Sequence, residues 1–394
     1  MKSFLNLKRF SLVPAFVILT FLLAACSGAP PNPSWSHYAL SLDGQNLVFA
    51  NLDRVVMLDP LDGTLVEQRD ANGQVRLDDQ GVPRSWTIVG DGSGGATSFY
   101  NLPLQLDETT LLVPSYEKRF FEVDLATARI LNPTGIPLEG HVVANPTMNE
   151  DGSLVYFPFS ERNVAAVRTS DYTVAWTHET QRGVWADALV VDGVVYIASL
   201  DHNLYALNSE TGEVLWALDL EGALPSAPLF FEDHLYIGSM SSKIFKISLD
   251  GAVVGEYATN NWVWSTPTIV DGVLYASDMT GHVYALAMDG NTFTPVWEPR
   301  QVATRAIRTT PLVYGDVIIV GSRDHFLYWL NRETGEEIFK REMGGEILSD
   351  LYLLEPSETL NVPEPLVLAG TMSVQESLVA FTLDNGERLW RYGR

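Results

Sequence analysis

The sequence predicts an all-β protein, an eight-bladed β-propeller of four-stranded antiparallel blades. In residues 185–216, four short apolar runs alternate with Asp-Gly, Asp-His-Asn and Ser-to-Gly segments, whose residue types favour turns. Related stretches recur along the chain at a nearly constant period. One such sheet cannot bury both of its faces, so we expect it only as a member of a closed ring.

The third strand of each unit gives the period. Neighbouring units are 39 to 44 residues apart in the middle of the chain, 65 apart at the start and 51 apart at the end. Equivalent positions are Val56, Phe121, Ala165, Tyr205, Phe245, Tyr284, Tyr328 and Val379. This spacing is typical of propeller blades and predicts eight of them, with seven as the alternative count. We interpret the two long intervals as insertions around 69–95 and 355–365 that form surface loops.

The first 25 residues are predicted to be a signal peptide. Cations precede an apolar run over 12–25 that is too short to span a bilayer comfortably. The run ends in Leu23-Ala24-Ala25-Cys26, which resembles the bacterial lipobox, and Cys26 is the only cysteine. We therefore predict that Cys26 is lipidated; ordinary cleavage beside a stray thiol is the alternative.

The remaining chain is expected to form two parts. Residues 26–36 are Pro-rich and predict an extended tether, and residues 37–394 are predicted to form one propeller domain, most simply a monomer. Two or more acyl chains on Cys26 would give stable membrane attachment. We expect an extracytoplasmic location, on the outer membrane if the organism has two membranes and on the cell surface otherwise.

The charge balance excludes some partners. Lys and Arg total 25 against 49 Asp and Glu, for a net charge of −24. Such an acidic chain is disfavoured as a nucleic-acid binder, and it is equally disfavoured for broad docking on anionic lipid headgroups.

Aromatic residues follow the third turn of several units. They are Trp176, Trp216, Tyr257, Trp297, Phe339 and Trp390. We interpret these side chains as covers for the interfaces between blades.

The words NSETGEVLW, NRETGEEIF and TLDNGERLW, each after a Y-A-L-type strand, resemble the repeats of pyrroloquinoline-quinone-type propellers. Within that superfamily, the chain is most similar to the propeller lipoprotein of the outer-membrane β-barrel assembly machinery. This resemblance implies a scaffold that binds the barrel-insertion protein. The wider superfamily also contains quinone- and Ca²⁺-dependent dehydrogenases.

We expect no enzymatic activity, no cofactor and no metal site. The dehydrogenases of the superfamily carry a vicinal disulfide over the quinone, which Cys26 alone cannot form. Residues 90–95 fit G-x-G-x-x-G, but a strand and not a helix is predicted to follow, so we interpret them as a loop. His202, His282 and His325 fall in equivalent turns of three different blades, which holds them apart.

The two faces of the ring are expected to differ in charge. First and third turns share one face, which carries Asp62, Asp107, Glu108, Asp151, Asp192, Glu210, Asp233, Asp250, Asp271, Asp289 and Glu333. Second turns share the other face with the segments that lead into strand one. These second turns carry Arg54, Lys118, Arg119, Arg162, Lys243 and Arg323.

The lead-in segments supply the candidate binding residues. Alignment of the blades brings Tyr100, Val143, Trp185, Pro225, Trp264 and Arg308 to one level around the central funnel, with Trp262 and Arg305 close by. Aromatic and arginine side chains at a concave mouth commonly anchor protein partners. We therefore predict partner contacts at Tyr100, Trp185, Trp262, Trp264, Arg305 and Arg308. In the alternatives, the indoles only plug the channel, or they stack on a small ligand or carbohydrate at the cell surface.

Overall fold

Eight antiparallel sheets follow one another along the chain, each made from one continuous stretch of sequence. The computed structural model describes residues 37–41, 43–70, 72–89, 97–357, 360 and 362–393. These ranges contain no helical segment that could span a lipid bilayer. The prediction of an eight-bladed propeller is confirmed, and the seven-bladed alternative is wrong.

The first four blades are formed by 17 strands. Blade 1 contains β1 (His37–Leu40), β2 (Leu47–Asn51), β3 (Arg54–Leu58) and β4 (Thr87–Val89). Blade 2 contains β5 (Leu104–Gln105), β6 (Thr110–Ser115), β7 (Arg119–Asp124), β8 (Arg129–Ile130) and a short extra strand, β9 (Ile136–Pro137). Blade 3 contains β10 (Thr147–Met148), β11 (Leu154–Pro158), β12 (Asn163–Arg168) and β13 (Val174–Glu179). Blade 4 contains β14 (Leu189–Val191), β15 (Val194–Ala198), β16 (Asn203–Asn208) and β17 (Val214–Asp219).

The last four blades repeat the same order. Blade 5 contains β18 (Leu229–Phe231), β19 (His234–Ser239), β20 (Lys243–Ser248) and β21 (Val253–Ala258). Blade 6 contains β22 (Thr268–Val270), β23 (Val273–Ser277), β24 (His282–Asp289), β25 (Thr292–Pro295) and a short extra strand, β26 (Arg300–Gln301). Blade 7 contains β27 (Leu312–Tyr314), β28 (Val317–Gly321), β29 (Phe326–Asn331) and β30 (Glu337–Glu342). Blade 8 contains β31 (Tyr352–Leu354), β32 (Leu366–Gly370), β33 (Leu378–Thr382) and β34 (Arg388–Tyr392).

Burial explains why the middle strands are almost continuously apolar. In blade 4, four consecutive residues of β15 and of β16 are buried, because both faces of the sheet are covered by neighbouring blades. The outer strand β17 instead alternates between exposed and partly buried residues. The blade therefore cannot stand alone, as its sequence predicted.

Each interface between neighbouring blades holds one buried apolar cluster. The eight clusters run in ring order from blades 1 and 2 to blades 8 and 1. Since apolar burial is the main favourable term in folding, stability is distributed around the whole ring and depends on its closure.

The predicted outer tryptophans each join their blade to the next one. The indole N–H of Trp176 donates a hydrogen bond to the carbonyl oxygen of Ser209 in the third turn of blade 4 (3.0 Å). Gly212 in that turn has φ +71°, and a Cβ there would lie 2.6 Å from the indole. The glycine therefore supplies both the left-handed turn and the space for the ring.

Among the described residues, the ring closes without exchange of a strand between its ends. Blades 1 and 8 are each complete, and they meet through an apolar cluster that includes Tyr38 and Trp390. The Tyr38 hydroxyl donates to the carbonyl oxygen of Asp350 (2.6 Å) and accepts from the N–H of Gly370 (2.9 Å). Side-chain packing and hydrogen bonds thus connect the first and last blades.

The two insertions differ from each other. The first folds into an exposed ladder of isolated bridges, including Glu67 to Ser85 and Leu77 to Pro83. The second was expected to be a surface loop, yet Leu360 and Val362 are buried against Leu354 and Leu366. It carries apolar side chains that cover the end of blade 8.

Candidate functional site: the mouth of the central channel

The lead-in segments of the blades surround a cavity at one end of the central channel. The cavity contains about 820 Å³ of empty space, including its opening to solvent. Its lining includes Val143, Trp185, Pro225, Trp264 and Arg308, five of the residues that the alignment placed at one level. We call this cavity and its rim the channel mouth.

The backbone fixes the position of the lead-in segments. In each of four blades, the second turn donates a hydrogen bond to the lead-in segment of the same blade. The pairs are Leu200 to Gly183 (3.0 Å), Met240 to Ala223 (3.0 Å), Met279 to Trp262 (2.9 Å) and Arg323 to Ala306 (3.0 Å). The second turns and the lead-in segments therefore share one face, as predicted.

Side chains one level deeper link neighbouring blades around the channel. The carboxylate of Asp187 accepts from the N–H of Asn145 (2.6 Å), whose side-chain oxygen accepts from the N–H of Leu102 (2.8 Å). Asp350 accepts from the N–H of Thr310 in the same manner (2.6 Å). These bonds hold the inner edges of adjacent blades in register.

Two indoles and one guanidinium form a row across the channel mouth. The ring centroids of Trp185 and Trp264 are 6.4 Å apart, and their planes are inclined by 56°. The guanidinium carbon of Arg308 lies 4.0 Å from the ring centroid of Trp264, a cation–π contact. Trp185 remains 36 % exposed. The two rings do not form one flat platform, and Arg308 covers part of Trp264.

Trp262 and Arg305 lie on the rim and do not line the cavity. Trp262 is 50 % exposed. Arg305 donates to one oxygen of Glu346 (2.7 Å), and Arg323 donates to the other (2.8 Å). Partial burial opposes ionisation of Glu346, but its hydrogen bonds and charge contacts with the two arginines outweigh this and lower its pKa.

Tyr100 is not placed with the other candidates. It is only 4 % exposed, and its ring lies edge-on to that of Tyr116 at 5.8 Å. Its carbonyl oxygen accepts a hydrogen bond from Nδ1 of His37 in blade 1 (2.6 Å). The first strand of blade 1 covers this position, so Tyr100 is buried between blades and does not line the cavity.

Sequence reasoning missed two carboxylates in the cavity. Asp187 and Asp350 both line it, and burial raises the pKa of each, an effect that the nearby charge of His37 partly offsets. Both lie two residues before strand one of their blade, at equivalent positions that are two residues after the level of Trp185 and Arg308. The same alignment, read at that position, could have found them.

Two hydrogen-bond donors of the cavity have no partner among the described residues. They are Nε of Arg308 and the hydroxyl of Ser226, both buried at the atom level. Burial, together with the charge of Arg323, lowers the pKa of Arg308. Buried donors without acceptors are uncommon in folded proteins, so a bound group that supplies an acceptor would satisfy both.

The charge contrast between the two faces is weaker than expected. Several cations of the second turns are paired with carboxylates on their own face. The salt bridges join Lys118 to Glu161 (3.1 Å), Lys243 to Glu221 (3.0 Å) and Arg323 to Glu346 (2.8 Å). A cation without such a pair, such as Arg308, is therefore a better indication of a binding site for an anionic group than the total charge of the face.

The remaining sequence candidates lie elsewhere. His202, His282 and His325 belong to blades 4, 6 and 7, and the described ranges contain no cluster of three or more His, Cys, Asp or Glu suited to a metal ion. Residues 90–95 and Cys26 lie outside the described residues.

Comparison with known proteins agrees with this architecture. A sequence profile of the family described as outer membrane protein assembly factor BamB matches residues 51–230, 201–325 and 294–394. The chain belongs to this family. The resemblance that the repeats indicated is confirmed, and the BamB family relates the chain to outer-membrane assembly factors.

Individual relatives are distant. The BamB protein of Yersinia pestis is 22 % identical over 281 residues, which cover 57 % of this chain and 70 % of that protein. The tetrathionate hydrolase of Acidithiobacillus ferrooxidans is 22 % identical over 258 residues, covering 56 % of this chain and 51 % of that protein. The crystal structure of BamB from Moraxella catarrhalis superposes with a TM-score of 0.59 at 17 % identity, covering 87 % of this chain and 92 % of that one. At this identity the structural likeness shows the fold alone.

Proposed function

We propose that this chain is a non-catalytic, lipid-anchored scaffold that binds a protein partner through the channel mouth. In an organism with an outer membrane, the proposed partner is the barrel-insertion protein. The observation that carries the proposal is the exposure of Trp185 and Trp262 on one face of a closed ring, in a chain of the BamB family. Exposed indoles beside arginines are the residue types that dominate protein interfaces.

A crosslinking experiment tests this proposal. A photoreactive phenylalanine analogue replaces Trp262 in the full chain, and outer membranes of the source organism are irradiated. Mass spectrometry is expected to identify the barrel-insertion protein. The matched control places the analogue at Leu215, an exposed residue on the outer strand of blade 4. Failure to recover that protein from position 262, or equal recovery from position 215, would contradict the proposal.

A double variant tests the energetic part of the proposal. Trp185→Ala with Trp262→Ala is expected to reduce capture of the partner at least tenfold, because each exposed indole contributes on the order of 1–2 kcal/mol to an interface. Both side chains are partly exposed, so the melting temperature should change little. A large loss of stability would instead show that the indoles act as a plug of the channel.

The proposed membrane anchor depends on Cys26. The sequence Leu23-Ala24-Ala25-Cys26 supports it, as does the absence of any second cysteine in the chain. Cells grown with labelled palmitate are expected to label the wild-type chain and not the Cys26→Ser variant. Labelling of the variant would contradict lipidation at this residue.

Two rival functions have less support. The inclined planes of Trp185 and Trp264 and the contact with Arg308 do not favour a flat carbohydrate platform. A catalytic role is suggested only by distant relatives such as the tetrathionate hydrolase. Release of thiosulfate or sulfate from tetrathionate by the purified chain would overturn the non-catalytic proposal.

A further inference from the structure

Arg308 is a cation of the channel mouth without a carboxylate partner. No salt bridge or hydrogen bond joins it to another group in the part of the chain that the structure describes. The neighbouring cations Arg305 and Arg323 both pair with Glu346. Of these three arginines, Arg308 alone has no ion pair among the described residues, in a chain whose net charge is −24.

The geometry leaves the edge of the Arg308 guanidinium free to donate. Its guanidinium carbon lies 4.0 Å from the ring centroid of Trp264. A guanidinium carries its N–H groups in its own plane, where Nε and one terminal nitrogen can bind both oxygens of a carboxylate. Nε is buried and has no acceptor among the described residues.

A second donor lines the same cavity. The hydroxyl of Ser226 is buried and also lacks a partner in the described chain. Neither donor is hydrogen-bonded to the carboxylates of the cavity: among the described residues Asp187 accepts from Asn145, and Asp350 accepts from Thr310. The charges that act on Arg308 come from Arg323 and Glu346, not from these two aspartates.

We propose that the channel mouth binds a carboxylate of the protein partner, an acidic side chain or a chain end, through Arg308 and Ser226. This inference rests on the proposed function, because the partner must dock at this face. A carboxylate carried by a polypeptide fits better than a free anion. The chain is strongly acidic, which repels small anions at long range, whereas a polypeptide also gains contact with the exposed indoles Trp185 and Trp262.

Peptide titration tests the carboxylate site directly. The full chain, purified in detergent, is titrated with acetyl-Ala-Glu-Ala-amide, and its tryptophan fluorescence is followed. The matched probe acetyl-Ala-Gln-Ala-amide has the same shape without the charge. We expect the Glu peptide to bind about tenfold more tightly, as charge-assisted bonds to arginine imply. Equal affinity for the two peptides would overturn the proposal.

Variants identify the groups that bind. Arg308→Gln is expected to abolish the preference for the Glu peptide, and Ser226→Ala to reduce it severalfold. Arg308→Lys keeps the charge but loses the planar edge, so it should retain only part of the preference. A full preference in Arg308→Gln would overturn the assignment, provided that its melting curve matches the wild type.

Two further measurements separate the possible failures. Succinate is titrated as a free carboxylate; tighter binding of succinate than of the Glu peptide would overturn the assignment to a partner chain. Crosslinking from position 262 is repeated in the Arg308→Gln variant, where yield should fall. If the yield is unchanged, the scaffold proposal stands and the carboxylate site fails. If the wild type captures no partner, the scaffold proposal fails, while the peptide preference still reports on the site.

Discussion

The indole N–H of Trp390 in the last blade donates a hydrogen bond to the carbonyl oxygen of Pro60 in the first blade, at 3.1 Å. Trp176 makes the equivalent hydrogen bond to the carbonyl oxygen of Ser209, between blades 3 and 4. Closure therefore uses the contact that already connects consecutive blades. A ring that closes through an ordinary interface between blades needs no exchanged strand. Its closure then depends on how well blades 8 and 1 pack against each other.

A substitution at Gly63 tests how closely Trp390 of blade 8 packs against blade 1. Gly63 has φ +70°, and a Cβ there would lie 2.5 Å from an indole carbon of Trp390. Gly73 has φ +76° with no atom within 4 Å of a built Cβ, so it controls for the backbone cost alone. Gly63→Ala is expected to lower the free energy of unfolding by about 1–3 kcal/mol more than Gly73→Ala, because it also forces the indole away. Urea denaturation of both variants measures the difference. Equal losses of unfolding free energy in the two variants would show that the interface between blades 8 and 1 tolerates the methyl group.

Leu360 tests whether the second insertion contributes to the core. Its side chain is only 8 % exposed and contacts the cluster at the end of blade 8. Leu360→Ala is expected to cost about 2 kcal/mol in the free energy of unfolding, as for other buried leucines. The control is Leu77→Ala on the exposed first insertion, which should cost less than about 0.5 kcal/mol. Similar melting temperatures for the two variants would contradict the structure here.

The repeat made the fold predictable from the sequence. Turn residues such as Asp192-Gly193 recur in register with apolar strands, and each unit is too small to bury its own faces. The outer aromatics were predictable for the same reason, since Trp176 and Trp216 occupy the same place in the period. Ring closure was not, because the Trp390 to Pro60 contact joins residues 330 positions apart.

The channel mouth was predictable only in part. Alignment of the lead-in segments correctly brought Trp185, Trp264 and Arg308 together, because equivalent positions of a propeller face one axis. It misplaced Tyr100, which blade 1 covers through a contact from His37 that no repeat encodes. It also overlooked Asp187, which stands two residues after Trp185 and could have been found at that position of the same alignment, although its burial in the channel is visible only in the structure.

Asp324 should stabilise the folded chain at neutral pH. Its carboxylate accepts from the Tyr328 hydroxyl (2.8 Å) and from the N–H of Thr304 (2.8 Å). Burial opposes ionisation, but these bonds outweigh it and lower the pKa of Asp324 below its ordinary value of 3.8. The stabilisation is thus present above pH 3.8 and is lost as pH falls through the lowered pKa. Asp324→Asn should cost about 1 kcal/mol at pH 7 and progressively less below pH 4.

Urea denaturation at pH 7, 5 and 3 measures this dependence. Tyr328→Phe removes only the hydroxyl donor, so it should reproduce part of the loss at pH 7. A cost of Asp324→Asn that does not change with pH would contradict the assigned role of the charge.

Asp350 should affect stability in the opposite sense to Asp324, with a contribution that becomes less favourable as pH rises. Burial in the channel is the main cause that raises its pKa above 3.8, and the charge of Asp187 adds to the effect. The folded state therefore holds the proton more tightly than the unfolded state, and stability falls as pH rises from about 4 through the raised pKa.

Asp350→Asn removes this loss and keeps an oxygen that can accept from the N–H of Thr310. The variant should melt roughly 1–3 °C above the wild type at pH 8, with the gain vanishing towards pH 4. Calorimetry across that range checks the sign, with Asp192→Asn in an outer turn as control. A destabilised Asp350→Asn at pH 8 would mean that the ionised carboxylate is needed to hold blade 7 against blade 8.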